Sequence, residues 1–347
     1  MKCSSINDHP DIIVNSDIAI KMKDLASIAM SHWGVSKSNP KLLKFRENTI
    51  FKVLLQNMTP AVMRIHRNGY HSNLAIESEQ SWMSSLLESG IKVPRIIPTC
   101  DGKNIKEIQD CYTKGVWQID LLEWIEGEPL GSLEGPGIAS ALDKPIWVYE
   151  ELGRITANLH NHSSNWSIPK SFNRHSWDIE GLVGDKPLWG NFCNLSSLTI
   201  YERKLLLSAK SYAKKELSSY KPNSTNYGLI HADLIPENIM FDGHTLRLID
   251  FDDCGFGWHL FDLSTITFFF LGNSRFNSIK DAVWRGYEKE RKLPCKAHEL
   301  SQLFDLLRGF TYLGWVQTRA DSESAAEITT EVKRITCNIA AKYLEKY

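Results

Sequence analysis

Charge of one sign is missing from this 347-residue chain: 40 basic residues stand against 41 acidic ones, a formal net charge of -1. Without a global field there is no electrostatic footprint for nucleic acid or an anionic membrane, so any charged substrate must be read by local groups. Paired cysteines are missing as well. Cys3, Cys100, Cys111, Cys193, Cys254, Cys295 and Cys337 are scattered, odd in number and without CxxC spacing. That argues against a disulfide framework or a zinc site and for reduced thiols in a cytoplasmic protein. No apolar run approaches the roughly 20 residues that span a bilayer, and MKCSSINDHPDII has no signal-peptide core. The longest run, Phe268 to Leu271 with Ile266 nearby, reads as buried helix. Fixed-period repeats and low-complexity linkers are also absent. The length suits one large or two medium domains with a sizeable core.

What is present is concentrated between Gly228 and Asp262, GLIHADLIPENIMFDGHTLRLIDFDDCGFGWHLFD. Leu229 and Ile230 lead into His231, Ala232 and Asp233, and Asn238 follows five positions after Asp233. Ile239 to Phe241 and Leu246 to Ile249 read as two strands joined by the turn residues Asp242 and Gly243. Such a hairpin brings Asn238 and Asp250 to the same end. A hydroxyl attacking a phosphoryl group needs a carboxylate to orient it and take its proton, a role open to Asp233. The phosphates need a hard divalent cation, and Asn238 with Asp250 supplies an amide oxygen and a carboxylate for Mg²⁺. Protein kinases place an Asp, an Asn five residues on and a DFG Asp in the same order, although the third element here is DFD.

HADxxxxN followed by IDFDD resembles the catalytic loop of the aminoglycoside phosphotransferase and choline kinase family, and similar segments occur in bacterial homoserine kinases and stress-response Ser/Thr kinases. The resemblance spans about Leu42 to about Trp315. It implies an α+β, bilobal, protein-kinase-like fold, with a small antiparallel N-lobe over residues 1–126 and a mainly helical C-lobe over residues 127–347. It also implies ATP and Mg²⁺ as cofactors and a small-molecule hydroxyl as acceptor, with Asp262 bracing the backbone of the catalytic loop and His231 beside it. Asp252 is implied at the metal or at an acceptor amine, and Asp253 at the amine.

For the first lobe, three- and four-residue spacing of Ile18, Met22, Leu25, Ile28, Ala29 and Trp33 predicts a helix ending at Gly34. Lys41 to Phe45 and Ile50 to Leu55 read as strands around Arg46, Glu47, Asn48 and Thr49. In the family this turn faces the phosphates, which assigns Asn48 and Thr49 to nucleotide binding, though no glycine lies in it. Ala61 to His66 falls where the kinase fold carries its ATP-binding lysine. Arg64 is the match, a planar fork in place of an ammonium, and Glu79 on the next helix is its expected partner. Val93 and Pro94 close that helix, and two strands should flank the Asp101-Gly102 turn. Val116 to Ile125 reads as a strand, and by resemblance Glu123, Trp124 and Ile125 form the hinge that binds the purine.

The second lobe reads as helices over Pro145 to His162, Tyr201 to Leu217, Leu303 to Trp315 and Ile328 to Tyr343, with His160 as a core histidine. Asn165 to Phe192 is irregular and aromatic and could wall the acceptor. Mixed charge over residues 126–200 favours an amino alcohol or a homoserine-like amino acid over an aminoglycoside as acceptor. A protein Ser or Thr is the second class of acceptor. With Arg64 for Lys and no glycine in the nucleotide loop, a nucleotide-binding module without turnover is a third reading.

Overall fold

Apolar residues alternate with polar ones through Phe51, Val53, Ala61, Met63 and Ile65, and that period of two places one face of a sheet in a core. A computed structural model describes residues 16–36, 39–46, 48–109, 115–133, 137–320 and 322–347. The polar N-terminal stretch before Ser16, with Glu47 and Cys111, lies outside the described residues. Two compact units emerge, residues 1–73 with 95–124 and residues 74–94 with 125–347.

In the first unit, α1 (Ser16–Ala29) runs into a short 3-10 turn at Met30–Trp33. Gly34 stops it at φ 78°, donating its N–H to Ser31 O at 3.1 Å. A five-stranded antiparallel sheet follows: β1 (Lys41–Phe45), β2 (Thr49–Leu54), β3 (Pro60–Ile65), β4 (Ile105–Gln109) and β5 (Val116–Glu123), in the order β1-β2-β3-β5-β4. The packed face of α1 is Met22, Leu25, Ala26, Ala29 and Met30, which join Trp33, Phe51, Val53, Met63, Ile119 and Leu121 in one core. Ile18 and Ile28, expected on that face, are exposed; Ile28 stands six residues from Met22, well off a stripe that follows three- and four-residue steps. Of the two strands expected around Asp101-Gly102, only β4 forms. The other shrinks to one bridge, Ile96 to Leu122, because Pro94 and Pro98 on either side have no N–H to give a ladder.

The second unit contains α2 (Asn73–Glu88), β6 (Glu128–Pro129), α3 (Gly137–Leu142), α4 (Ile146–Asn165), β7 (Ser176–Trp177), α5 (Ile179–Val183) and α6 (Ile200–Ser219). It continues through β8 (Tyr227–Ile230), β9 (Ile239–Phe241), β10 (Leu246–Leu248), β11 (Gly255–Trp258), α7 (His259–Thr267), α8 (Phe276–Glu288), α9 (Ala297–Thr318) and α10 (Glu323–Leu344). Helices fill it, and two small sheets, β10-β9-β6 and β7-β11-β8, line up the site. The sequence Thr199-x-x-Glu202 starts α6 with a reciprocal capping box. All nine residues of α7 are buried; that helix begins at His259, three residues before Asp262, and the aromatics Phe268–Phe270 that follow it form a separate 3-10 turn. Among the described residues no helix is long and apolar enough to cross a membrane.

Two glycines let α4 and α8 touch backbone to backbone. A Cβ on Gly153 would lie 1.9 Å from Val283 O, and one on Gly286 would lie 1.7 Å from Glu150 O. Gly286→Ala must therefore push the helices apart. We expect about 2–4 kcal/mol of lost stability, read as a lower urea midpoint at unchanged slope.

Candidate active site

The hairpin geometry follows from its residues. Asp242 Oδ1 accepts the N–H groups of His244 and Thr245 at 3.0 and 2.7 Å, and Gly243 takes φ 94°. These contacts close the turn and pair Phe241 with Leu246 and Ile239 with Leu248. One step further, Ile249 donates its N–H to Asn238 O at 3.0 Å. Asn238 and Asp250 therefore meet at the open end of the hairpin. Asp250 turns out of the strand at φ 62°, a rare conformation for a residue with a Cβ.

Upstream, β8 delivers His231, Ala232 and Asp233 into a loop held from below. The buried Asp262 carboxylate accepts His231 N–H at 3.0 Å and Ala232 N–H at 2.7 Å. His160 Nε2 also donates to Asp262, at 3.1 Å, and Tyr287 Oη donates to His160 Nδ1 at 2.9 Å. His231 is buried and bridges the two halves of the site. Its Nδ1 accepts Asp233 N–H at 3.3 Å, so Nε2 carries the proton and donates to Ile249 O at 3.1 Å. Phe251 packs edge-on to Trp82 of α2 and against the His231 ring, centroids 5.6 and 4.4 Å apart.

The Asp233 carboxylate is 15% exposed. Its Oδ2 accepts from Asn238 Nδ2 at 2.8 Å, and Arg308 Nη2 donates to Oδ1 at 2.5 Å. Asn238 Nδ2 also donates to Asp233 O at 2.9 Å. With its amide nitrogen so engaged, Asn238 could offer Oδ1 to a cation, and Asp250 could add a second hard oxygen. That donor set would fit a Mg²⁺-type cation. Among the described residues no group of three or more His, Cys, Asp or Glu could hold a metal ion.

The irregular aromatic segment reaches the same neighbourhood. Asp253 Oδ1 accepts from Trp189 Nε1 at 2.9 Å, while its carbonyl accepts from His175 Nε2 at 3.1 Å and Trp177 Nε1 at 2.9 Å. Trp189 in turn lies against Tyr312 and Arg308 of α9. Arg174 is buried and donates Nε to Cys254 O at 2.7 Å, Nη1 to Ala75 O at 3.2 Å and Nη2 to Asp252 O. One guanidinium thus fixes the backbone after Asp250 to the start of α2, the helix that carries buried Glu79. Asp252 is itself buried.

The first unit holds the other expected residues. Asn48 and Thr49 are buried at the β1–β2 turn, where Arg46 N–H reaches Asn48 O at 3.2 Å. Arg64 lies on β3 directly opposite Asp120 of β5. The pair is bidentate and buried, Nε to Oδ1 at 2.9 Å and Nη2 to Oδ2 at 2.6 Å, with His66 Nε2 at 3.4 Å from Oδ2. Burial alone would raise the Asp120 carboxyl, but Arg64 and His66 outweigh it and hold it well below the ordinary carboxylate range. Glu123, at the end of β5 before Trp124 and Ile125, gives its N–H to Arg95 O at 2.8 Å. Lys52 Nζ covers the Trp124 ring at 3.8 Å.

Asp120, Arg174 and Arg308 escaped the sequence reading. Asp120 and Arg308 each left a trace, a charge inside a largely apolar run, VWQIDLLEW and LFDLLRGFTYLGW. Arg174 left none.

A catalytic-loop carboxylate, an amide and carboxylate pair at a hairpin end and an antiparallel sheet ahead of a helical unit define a phosphotransferase of the protein-kinase-like class. The chain belongs to the phosphotransferase enzyme family, whose pattern matches residues 43–297. It is similar to the amicoumacin kinase of Bacillus subtilis (strain 168), 25% identical over 244 residues that make up 69% of this chain and 66% of that protein. The match thus spans just under two thirds of that relative's length. Among solved structures, a microcompartment-associated aminopropanol kinase superposes with a TM-score of 0.81 and 30% identity, over 93% of this chain and 98% of that one. The amicoumacin kinase hAmiN, solved with AMP-PNP, Ca²⁺ and Ami, shares the fold at a TM-score of 0.74 and 18% identity, over 95% and 96% of the two chains.

Two measurements follow from these contacts. Asp120→Asn removes the buried carboxylate that pairs with both arms of the Arg64 fork and should cost about 3–5 kcal/mol in urea denaturation. The second concerns pH. Burial pushes the His231 imidazole down to about 4, against the pull of Asp262, and pushes His160 and His259 well below the ordinary 6.5. Below pH 6.5 the unfolded chain therefore binds protons that the folded chain refuses, and stability falls as pH falls. Asp262 and Asp305, both raised by burial to about 6, work in the opposite sense between 3.8 and 6. Three groups outweigh two, each contributing up to about 1.4 kcal/mol per pH unit. The urea midpoint should drop from pH 7 to pH 5, and His259→Asn should flatten that slope.

Proposed function

We propose that the chain transfers the γ-phosphoryl group of ATP to the hydroxyl of a small amino alcohol. The observation that carries the reading is the Asp233 carboxylate, held 2.8 Å from the Asn238 amide, with Asp250 registered beside Asn238 by the 3.0 Å hydrogen bond from Ile249 N–H to Asn238 O. Asp233 orients the acceptor hydroxyl and takes its proton as the phosphoryl moves. Asn238 Oδ1 and Asp250 hold the divalent cation, Mg²⁺ in this reading, which when bound neutralises charge on the phosphates. In this reading Arg64, whose fork Asp120 aligns, and the Asn48–Thr49 turn bind the phosphates of the nucleotide, and Glu79 is assigned to nucleotide binding as well. Trp124 and Ile125 offer main-chain groups to the purine.

The amino alcohol is favoured by two observations. The carboxylates of Asp252 and Asp253, with the Trp177 and Trp189 rings beside Asp253, suit a small ammonium group. The aminopropanol kinase is also 30% identical over nearly its whole length. His231 and Asp262 serve the site through the backbone, without touching substrate.

Phosphate transfer from ATP with Mg²⁺ should be measured across 1-amino-2-propanol, ethanolamine, choline, homoserine, aminoglycosides and a generic protein. We expect an amino alcohol to be phosphorylated, and Asp233→Asn to lower kcat by about 10²–10⁴ while nucleotide affinity stays within about threefold. Label on protein alone would move the assignment to a Ser/Thr kinase. Tight nucleotide binding with no transfer above the Asp233→Asn blank would move it to a binding module.

A further inference from the structure

Among the described residues, α9 carries one arginine in a run that is otherwise buried from Leu303 to Val316, and Arg308 has no exposed surface. A wholly buried cation costs desolvation that a hydrophobic side chain of similar size would avoid, so stability alone is a weak reason for it. Two of its three side-chain bonds converge on the catalytic loop. Nη2 donates to Asp233 Oδ1 at 2.5 Å and to Tyr312 Oη at 3.0 Å, and Nη1 donates to Ala232 O at 3.0 Å.

The Ala232 contact explains the geometry of the loop. Ala232 has φ 66°, a conformation that costs a residue with a Cβ about 1–3 kcal/mol unless its surroundings over-determine it. Here Asp262 takes the Ala232 N–H at 2.7 Å and Arg308 takes its carbonyl at 3.0 Å. The peptide is gripped from both ends, and that sets the direction in which Asp233 leaves the loop. The carboxylate is then gripped as well, Oδ1 by Arg308 and Oδ2 by Asn238 at 2.8 Å. The guanidinium itself cannot swing away, because the Tyr312, Trp189 and Phe261 rings surround it at 4.3, 4.8 and 5.5 Å. Trp189 also donates to Asp253, so one stack joins the acceptor wall to the base.

We propose that Arg308 is a positioning residue for phosphoryl transfer, fixing both the strained Ala232 backbone and the Asp233 carboxylate so that the carboxylate is held in place to meet the acceptor hydroxyl. This rests on the reading of Asp233 given above. A misplacement of about 1 Å at such a group costs about 10²-fold in rate. Arg308 has no exposed surface of its own, so the loss should fall on kcat.

The test compares Arg308→Gln, Arg308→Lys, Asp233→Asn and the Asp233→Asn/Arg308→Gln double variant. Phosphate transfer to the acceptor found in the panel is the readout, or ATP hydrolysis with water in the acceptor's place if none is found. Arg308→Gln should lose about 10²-fold in kcat with the KM for ATP within about threefold. Arg308→Lys should recover part of the loss, since an ammonium can reach Asp233 Oδ1 but cannot hold Ala232 O at the same time. The double variant should be no slower than Asp233→Asn alone. If Arg308→Gln does not fold, Arg308→Lys carries the same comparison. Wild-type kcat in Arg308→Gln would overturn the proposal. So would a further loss in the double variant, or a parallel decline of kcat, ATP affinity and melting temperature in Arg308→Lys. Full activity in Asp233→Asn is a different outcome, because it removes the base assignment whatever the arginine variants do.

Discussion

Everything in the second unit that matters to the chemistry hangs on one buried carboxylate. Asp262 sits at the start of α7 with no exposed surface, and burying an ion there is costly unless it is fully hydrogen-bonded. The loop and α4 meet that requirement with the N–H groups of His231 and Ala232 and with His160 Nε2. The exchange is mutual: the carboxylate gains donors in a dry interior, and two peptides that no sheet would satisfy gain an acceptor. Once the loop is fixed at Ala232, the position of Asp233 follows. His231 carries the constraint across to Ile249, and the hairpin register carries it to Asp250.

Within each unit, fixed cations organise the chain as much as carboxylates do. Arg308 closes on Asp233, Arg174 gathers the carbonyls of Ala75, Asp252 and Cys254, and in the first unit Arg64 is clamped by Asp120. Each guanidinium is buried, and each uses its planar fork to hold two or more oxygens at once, which an ammonium cannot do with the same geometry. Arg64 therefore differs from a lysine in more than shape. Its orientation comes from a cross-strand partner on β5, so strand pairing aims the charge.

How much of this was legible in the sequence depended on how local the physics is. The catalytic loop and hairpin were readable because Asp233, Asn238, Asp242, Gly243 and Asp250 act on near neighbours in the chain, through turn chemistry and a period of two. The helices of the second unit were readable from their apolar stripes. Proline chemistry explains the strand lost after Pro94, which the apolar pattern alone had suggested. The face of α1 was misassigned at Ile18 and Ile28 because apolar character does not fix angular position to within one residue. Arg308 and Arg174 lie 75 and 78 residues from the groups they hold. Their roles exist only once helix α9 and the irregular segment have packed.

The sequence by itself determined where the proposed chemistry would lie: a carboxylate suited to act as base, an amide and a carboxylate suited to a cation, and the hairpin that unites them, all within 35 consecutive residues from Gly228 to Asp262. Those features are local, governed by backbone preferences and the spacing of residue types. Only the tertiary structure decided which charges complete the site and in what orientation. A buried cation and its partner are chosen by whatever elements happen to share a dry interior. Distance along the chain says nothing about that, and the desolvation cost that makes such a pair strict appears only when the core has closed around it.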